Sequence, residues 1–260
     1  MLEVPGARLY YEVRGSGPLV VLVGAPMDAA AFEGVATLLA TDHTVLTTDP
    51  RGINRSTVDD PDRDSSPEDR ADDLARLIAH ADAGPAVAFG SSGGAVSVLA
   101  LAQRHPEHVR TAIAHEPPLI ELLDDRAQLR ANTEDMIATY LRGDHRGAWL
   151  LFLQNANIQL PDDVFAMMFG GPREGQSAAD EHYQFAHMLR GTTYWRPDLG
   201  ALTAANVEIG IGEDSTGQLC DRTSRALATA LGTTPTMFPG DHTGFLDHPE
   251  TFAATISALG

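Results

Sequence analysis

The chain has 260 residues, enough for one large α/β core with an insertion and no need of disulfides for stability. Aspartate and glutamate total 36 against 18 basic residues, all of them arginine, and the formal net charge of −18 disfavours nucleic acid and anionic membrane surfaces as partners. The single cysteine, Cys220, excludes an internal disulfide and a zinc site built from several cysteines.

The first half of the chain alternates strand-like and helix-like segments. Apolar runs at 9–13 and 19–23, separated by the glycine-containing residues 14–18, predict an antiparallel pair of strands. Next come a helix over 32–40, a strand over 44–48, a helix over 68–81, a strand over 86–89, a helix over 95–103 and a strand over 109–114. This alternation predicts an α/β fold with a mostly parallel central sheet and flanking helices.

The pattern changes after residue 117. Roughly eighty residues follow with several amphipathic helical stretches and no convincing buried strand. From 207 the alternation resumes, with a strand over 207–211, a helix over 221–231, a strand over 236–238 and a closing helix over 249–259. We therefore predict a core formed by 1–117 and 199–260, interrupted by a helical insertion over 118–198.

Residues 90–94, Gly-Ser-Ser-Gly-Gly, fit the pattern G-x-S-x-G between a predicted strand and a predicted helix. A sharp strand-to-helix turn requires glycines for close backbone approach and projects the serine hydroxyl above the sheet. The N-terminus of the helix behind the turn favours developing negative charge. The motif therefore predicts Ser92 as a nucleophile.

A serine hydroxyl needs a base, and the base needs an acid that orients it. His242 is the preferred base, because it follows a predicted strand in a turn-rich loop at the carboxyl end of the sheet. Asp214 is the preferred acid, because it follows the preceding strand and gives the chain order Ser, Asp, His. Glu213 and Glu116 remain alternative acids, since only proximity to the imidazole matters.

An oxyanion intermediate needs hydrogen-bond donors. One is expected to be the amide after the nucleophile, here Gly93, and the other an amide in the loop 24–28. Pro26 lacks an N–H, which leaves Ala25 as the first candidate and Met27 as the second.

Three motifs together resemble the α/β-hydrolase superfamily over nearly the whole chain. They are the Gly-Ser-Ser-Gly-Gly turn, residues 49–56 (Asp-Pro-Arg-Gly-Ile-Asn-Arg-Ser), which look like the family's D-x-R-G-x-G-x-S segment, and Gly-Asp-His at 240–242. The resemblance is to small capped members related to esterases, lactonases and cofactor-free haloperoxidases. It implies that Asp49 and Arg51 are architectural. The family's acid loop usually reads Gly-x-x-Asp, and this chain has Ser215 at that aspartate's position.

The resemblance implies that the insertion is a cap over the substrate pocket, with Met168, Phe169 and Trp195 as pocket residues. It implies a serine hydrolase that cleaves an ester, lactone or thioester of a small molecule through an acyl-enzyme, without a metal or cofactor. Alternatives are C–C bond hydrolysis, perhydrolysis or lyase chemistry at the same site, and a catalytically silent ligand-binding member.

Location and assembly are further expectations. Residues 1–6 have no basic region followed by an apolar stretch, so the sequence favours a cytoplasmic protein without a membrane span. A homodimer is also expected, because dimers are the commonest oligomers of soluble proteins.

Overall fold

The computed structural model describes residues 1–171 and 173–260. The strands are β1 (Leu2–Val4), β2 (Ala7–Leu9), β3 (Tyr11–Gly15), β4 (Leu19–Val23), β5 (Thr44–Thr48), β6 (Thr57–Val58), β7 (Ala86–Ser91), β8 (Val109–His115), β9 (Val207–Gly212) and β10 (Thr236–Phe238). The helices are α1 (Glu33–Leu39), α2 (Pro67–Ala81), α3 (Gly93–Arg104), α4 (Arg126–Leu141), α5 (His145–Ala156), α6 (Asp162–Phe169), α7 (Gly175–Tyr183), α8 (Leu189–Thr193), α9 (Leu199–Ala204), α10 (Leu219–Leu231) and α11 (Pro249–Leu259).

The central sheet has seven strands in the order β10-β9-β8-β7-β4-β5-β3, and all neighbours are parallel except β3 and β5. Strands β1, β2 and β6 form a small separate antiparallel sheet. The predicted mostly parallel sheet with flanking helices is therefore confirmed.

The predicted antiparallel pairing of the first long strands is wrong. Strand β3 pairs with β5, in the register Tyr11 to Thr48, and β4 lies on the far side of β5. The burial of the two strands explains the difference. Every residue of β4 is buried, which suits a strand covered on both faces, whereas β3 alternates between half-buried and exposed residues and forms an edge.

The sheet is covered by helices on both faces, and β4 illustrates how the two core layers arise. Its side chains alternate, with Leu19, Val21 and Val23 in one apolar cluster and Val20 and Leu22 in the other. Residues of α2, α3 and α10 complete the first cluster, and residues of α1 and α11 complete the second. This arrangement fixes the carboxyl ends of the parallel strands at one edge, where ligands bind in such sheets.

Between β8 and β9 the described residues form helices and turns, with no strand. A π-helical segment, Gln184–Met188, joins α7 to α8. We call residues 118–198 the helical segment; its separation as a domain with those boundaries stays a prediction. Among the residues described, no helix is long and apolar enough to cross a membrane.

Two charged residues of the segment 49–56 anchor loops at the edge of the sheet. The buried Asp49 carboxylate accepts hydrogen bonds from the Ala29 amide and from the amide and guanidinium of Arg55. Arg51 forms a two-pronged ion pair with Asp73 of α2, and both side chains are buried. These contacts fit an architectural role for Asp49 and Arg51.

Candidate active site

Ser92 occupies a strained turn between β7 and α3. Its backbone angles are φ 58° and ψ −123°, a region that residues other than glycine rarely adopt. The Ser92 amide donates to the carbonyl of His115 at 2.9 Å, which ties the turn to strand β8. A Cβ added to Gly94 would lie 2.1 Å from the Val23 carbonyl oxygen, so the turn requires glycine at that place.

Glu116 and His242 are hydrogen-bonded to each other at the carboxyl end of the sheet. Glu116 follows β8 directly, has no exposed side-chain surface, and accepts at Oε2 from His242 Nδ1 at 2.5 Å. Its Oε1 accepts from the Gly212 amide at 2.9 Å. Glu116 has a positive φ of 54°, which is uncommon for a residue with a side chain. Both carboxylate oxygens are therefore held, and the imidazole is oriented by one of them.

The pKa values of this pair move in opposite directions. Burial acts to raise the pKa of Glu116, but the hydrogen bond and positive charge of His242 outweigh it and lower that pKa to about 2. Burial acts to lower the pKa of His242, but the nearby Cys220 sulfur and the Glu116 carboxylate raise it well above its usual range. Glu116 is thus ionised at neutral pH.

Asp214 and Glu213 lie away from the imidazole, in contrast to the preferred acid of the sequence analysis. Both are exposed residues of the short 3-10 turn after β9. Neither side chain forms a hydrogen bond or ion pair with His242, whereas the loop's Gly212 amide holds Glu116 instead. The structure therefore brings the third candidate, Glu116, to the histidine, because β8 and β9 are adjacent and Glu116 projects between their ends.

Cys220, which the sequence indicated only as a lone cysteine without a disulfide partner, is an additional residue at this site. It is half-buried in the first turn of α10 and lines the same cavity as Ser92 and His242. Ligand atoms of Glu116, Cys220 and His242 lie within 4.8 Å of one another. This group could offer three donors to a metal ion, although the Glu116–His242 hydrogen bond already engages two of them.

The two expected oxyanion donors lie side by side. A Cβ added to Gly93 would meet the Ala25 carbonyl oxygen at 2.3 Å, and both residues line the cavity. Within the described chain, neither the Gly93 amide nor the Ala25 amide donates a hydrogen bond. Met27 is not a cavity residue; it packs against the core cluster under α1.

A cavity of about 830 Å³, including its open mouth, lies between the carboxyl end of the sheet and the helical segment. The sheet side contributes Ala25, Ser92, Gly93 and His242, and the helical side is largely apolar, with Met136, Phe152, Ile158, Met188 and Leu189. Its polar wall residues are Thr133, Asn155, Gln184, Thr192, Thr193 and Gln218. Ser92 Oγ forms no hydrogen bond with any described residue, but it shares this cavity with His242.

The cavity is not lined by the three residues expected to form it. Met168 is exposed on α6, and Phe169 stacks on Trp149. Trp195 is buried in the core cluster below α3, with its indole N–H donating to Glu68 at 2.8 Å. The apolar pattern of these segments does not reveal which face of each helix turns towards the sheet.

His115 lies beneath the site. It is fully buried, its Nδ1 is 3.0 Å from Ser91 Oγ, and its ring is 6.5 Å from that of His242. Burial lowers the pKa of His115 to about 4, so the ring is neutral at neutral pH.

Arg70 of α2 connects the core to the helical segment. The side chain is buried and donates to Ser97 of α3 at 2.8 Å, to Ser65 at 3.0 Å and to Thr192 of α8 at 2.9 Å. Burial lowers the pKa of Arg70 to about 10, which still leaves the guanidinium charged at neutral pH. Its charge is thus satisfied by neutral oxygens from both parts of the chain.

Known proteins resemble this chain in sequence and in fold. Residues 17–160 match the family model described as the alpha/beta hydrolase fold. The uncharacterized hydrolase YraK of Bacillus subtilis (strain 168) is 34% identical, over 98% of this chain and 93% of that protein. A zearalenone hydrolase of Bionectria ochroleuca is 27% identical, over 96% of this chain and 93% of that protein. The solved structure of Est816, described as an N-acyl homoserine lactone degrading enzyme, superposes with a TM-score of 0.74 at 21% identity, covering 99% of both chains.

Proposed function

The chain belongs to the α/β-hydrolase family and is a hydrolase, and from this premise we propose that it cleaves an uncharged ester or lactone through an acyl-enzyme on Ser92. The observation that carries the proposal is the strained Ser92 turn, which opens into a cavity that is also lined by His242, the residue bonded to Glu116. A nucleophile, a base and an orienting acid are thereby gathered at one edge of the sheet.

In the proposed reaction, Ser92 Oγ attacks the carbonyl carbon while His242 Nε2, the nitrogen not bonded to Glu116, accepts the hydroxyl proton. The Ser92 hydroxyl and Nε2 must come within hydrogen-bond distance for this step, a contact that is often longer before substrate binds. Glu116 holds the ring orientation and stabilises the imidazolium that forms. The negative oxygen of the tetrahedral intermediate accepts from the Gly93 and Ala25 amides.

Collapse of the intermediate breaks the bond to the leaving alcohol, which takes the proton from His242. Water then attacks the acyl-enzyme with His242 again as base, and the acid is released as Ser92 regains its proton. In a lactone the leaving alcohol and the acid belong to one molecule, so a single hydroxy acid leaves. The helical segment acts as a cap that covers the reacting bond.

The cavity wall supports an uncharged substrate. Over the described chain, no lysine, arginine, aspartate or glutamate lines it, and its helical side is mainly methionine, phenylalanine, leucine and isoleucine. A carboxylate or ammonium group carried by the substrate against the helical side would lose its hydration there without gaining an opposite charge. The similarity to a zearalenone hydrolase and to an N-acyl homoserine lactone degrading enzyme fits this substrate class.

The proposal is tested by intact-mass measurement after treatment with a fluorophosphonate, which labels activated serines. We expect one adduct on the wild type and on Ser91→Ala, and none on Ser92→Ala. Ser91 is the matched control, because it is the adjacent serine but is fully buried against His115. Labelling that persists in Ser92→Ala, or none in the folded wild type, would overturn the proposal. Turnover of neutral esters and lactones, and not of their anionic analogues, is the second expected result.

A further inference from the structure

One polar side chain in the cavity wall lacks a partner. Gln184 is only 7% exposed, lines the cavity, and its side-chain amide forms no hydrogen bond with any residue of 1–171 or 173–260. The amide nitrogen and oxygen are not among the fully enclosed side-chain atoms that lack a partner, so they open into the cavity, where a water molecule or a ligand can pair with them.

Four other polar side chains of this wall already form hydrogen bonds. Thr133 and Thr193 donate their hydroxyls to carbonyls of their own helices at 2.9 and 2.8 Å. Thr192 accepts from Arg70, and Asn155 donates to the Asn132 carbonyl at 3.3 Å.

Gln218 is the remaining polar wall residue without a side-chain hydrogen bond in the described part of the chain. It is half-exposed as the residue before α10, where water can satisfy its amide. Gln184 is therefore a mostly buried residue whose amide faces the cavity with hydrogen-bonding capacity to spare.

The backbone at Gln184 is also unusual. It begins the π-helical segment 184–188, a rare form that occurs mostly as single turns and often at functional sites. Met188, at the end of the same segment, lines the cavity as well. The π turn thus places a polar and an apolar side chain together on the wall.

We propose that the Gln184 amide is a specificity-determining group that hydrogen-bonds a neutral oxygen, a hydroxyl or a carbonyl, carried by the substrate away from the bond that is cleaved. An amide both donates and accepts, so it pairs with either kind of oxygen without a charge. The inference rests on the proposed hydrolase function and adds a structural requirement for the substrate.

The test uses p-nitrophenyl esters of medium-chain acids in matched pairs, identical except for one hydroxyl, with the hydroxyl moved along the acyl chain from one pair to the next. For the wild type we expect one position at which kcat/KM of the hydroxylated ester exceeds that of its partner by on the order of tenfold. In Gln184→Met, which keeps the length and removes the amide, that preference disappears. In the control variant Gln218→Met it remains.

Two failures can be told apart by labelling Ser92 with the fluorophosphonate in each variant. Normal labelling with no hydroxyl preference at any position in the wild type overturns the role of Gln184, as does a preference that survives in Gln184→Met. Absence of labelling in the folded wild type overturns the hydrolase mechanism itself. Gln184→Leu replaces the methionine variant if thermal unfolding shows that the latter is not folded.

Discussion

The carboxylate of Glu116 lies 2.5 Å from His242 Nδ1, so the proposed acid directly follows β8, the strand beside the one that leads to Ser92. Its second oxygen is bonded to the Gly212 amide, in the loop where the sequence pattern placed the preferred acid. Gly212, the last residue of β9, thus supplies a backbone donor to the site, whereas the charged carboxylate belongs to Glu116, directly after β8.

The first prediction separates the three carboxylates. Glu116→Gln should lower kcat/KM for a neutral ester by about 10³–10⁴-fold, because the imidazole loses both its orientation and the charge that stabilises it. Asp214→Asn and Glu213→Gln, on the exposed turn, should stay within about twofold of the wild type. A large loss in Asp214→Asn with normal activity in Glu116→Gln would contradict the assignment.

The second prediction concerns pH. The base must be neutral to accept a proton, and the pKa of His242 is raised, so acylation by the wild type should fall as pH drops through a value above 6.5. Removing the Glu116 charge should lower the pKa of His242, because the carboxylate favours the protonated ring. The acid limb of the kcat/KM profile in Glu116→Gln should therefore move to lower pH, and a limb that stays in place would refute this coupling.

The third prediction uses the thiol of Cys220. Because it lines the cavity beside His242, its carboxamidomethylation by iodoacetamide should fill the space in which the ester must bind and abolish turnover. Cys220→Ala removes the sulfur without adding volume, so it should remain active and resist the reagent. Prior labelling of Ser92 with a fluorophosphonate should slow alkylation. Inactivation of Cys220→Ala at the wild-type rate would contradict the placement of the thiol.

The fourth prediction concerns stability and His115. Its folded pKa of about 4 lies below the ordinary 6.5, so the unfolded chain binds a proton at this residue more readily than the folded one. Above pH 6.5 the ring is neutral in both the folded and the unfolded chain, so it makes no difference to stability. As pH falls from 6.5 to 4, the free energy of unfolding should decrease progressively, by about 3 kcal/mol in total.

The variant His115→Asn keeps a polar partner for Ser91 but cannot be protonated. In urea unfolding between pH 7 and 4, the wild type should lose more stability than this variant. Parallel curves for the two proteins would show that the ring does not titrate in this way.

The sequence predicted the site only in part, for physical reasons. The Ser92 turn depends on neighbouring residues along the chain, so local composition reveals it. The acid depends on which loop ends beside the imidazole. Residues 116, 213 and 214 all follow strands at the same edge of the sheet, and only the strand order and the Gly212 contact distinguish them.

The cavity wall was harder to predict for a related reason. Apolar spacing indicates that a helix has a buried side, but not what covers it. Trp195 is buried in the core instead of lining the cavity, whereas Met136 and Phe152 reach the cavity from α4 and α5. The pairing of β3 with β5 was likewise hard to predict. The later strand β5 lies between β3 and β4, and the residues of the turn between β3 and β4 do not indicate this.

The contacts of Arg70 also matter for engineering. A helical segment taken from a relative would need an oxygen acceptor at the position of Thr192. Without one, the buried guanidinium of Arg70 would lose a hydrogen-bond partner at the boundary between the core and the segment. The two parts of the chain are therefore matched to each other. Chimeras that exchange the whole helical segment should fold poorly unless the new segment keeps a threonine at the position of Thr192. New substrate ranges are more readily obtained by point substitutions in the cavity wall.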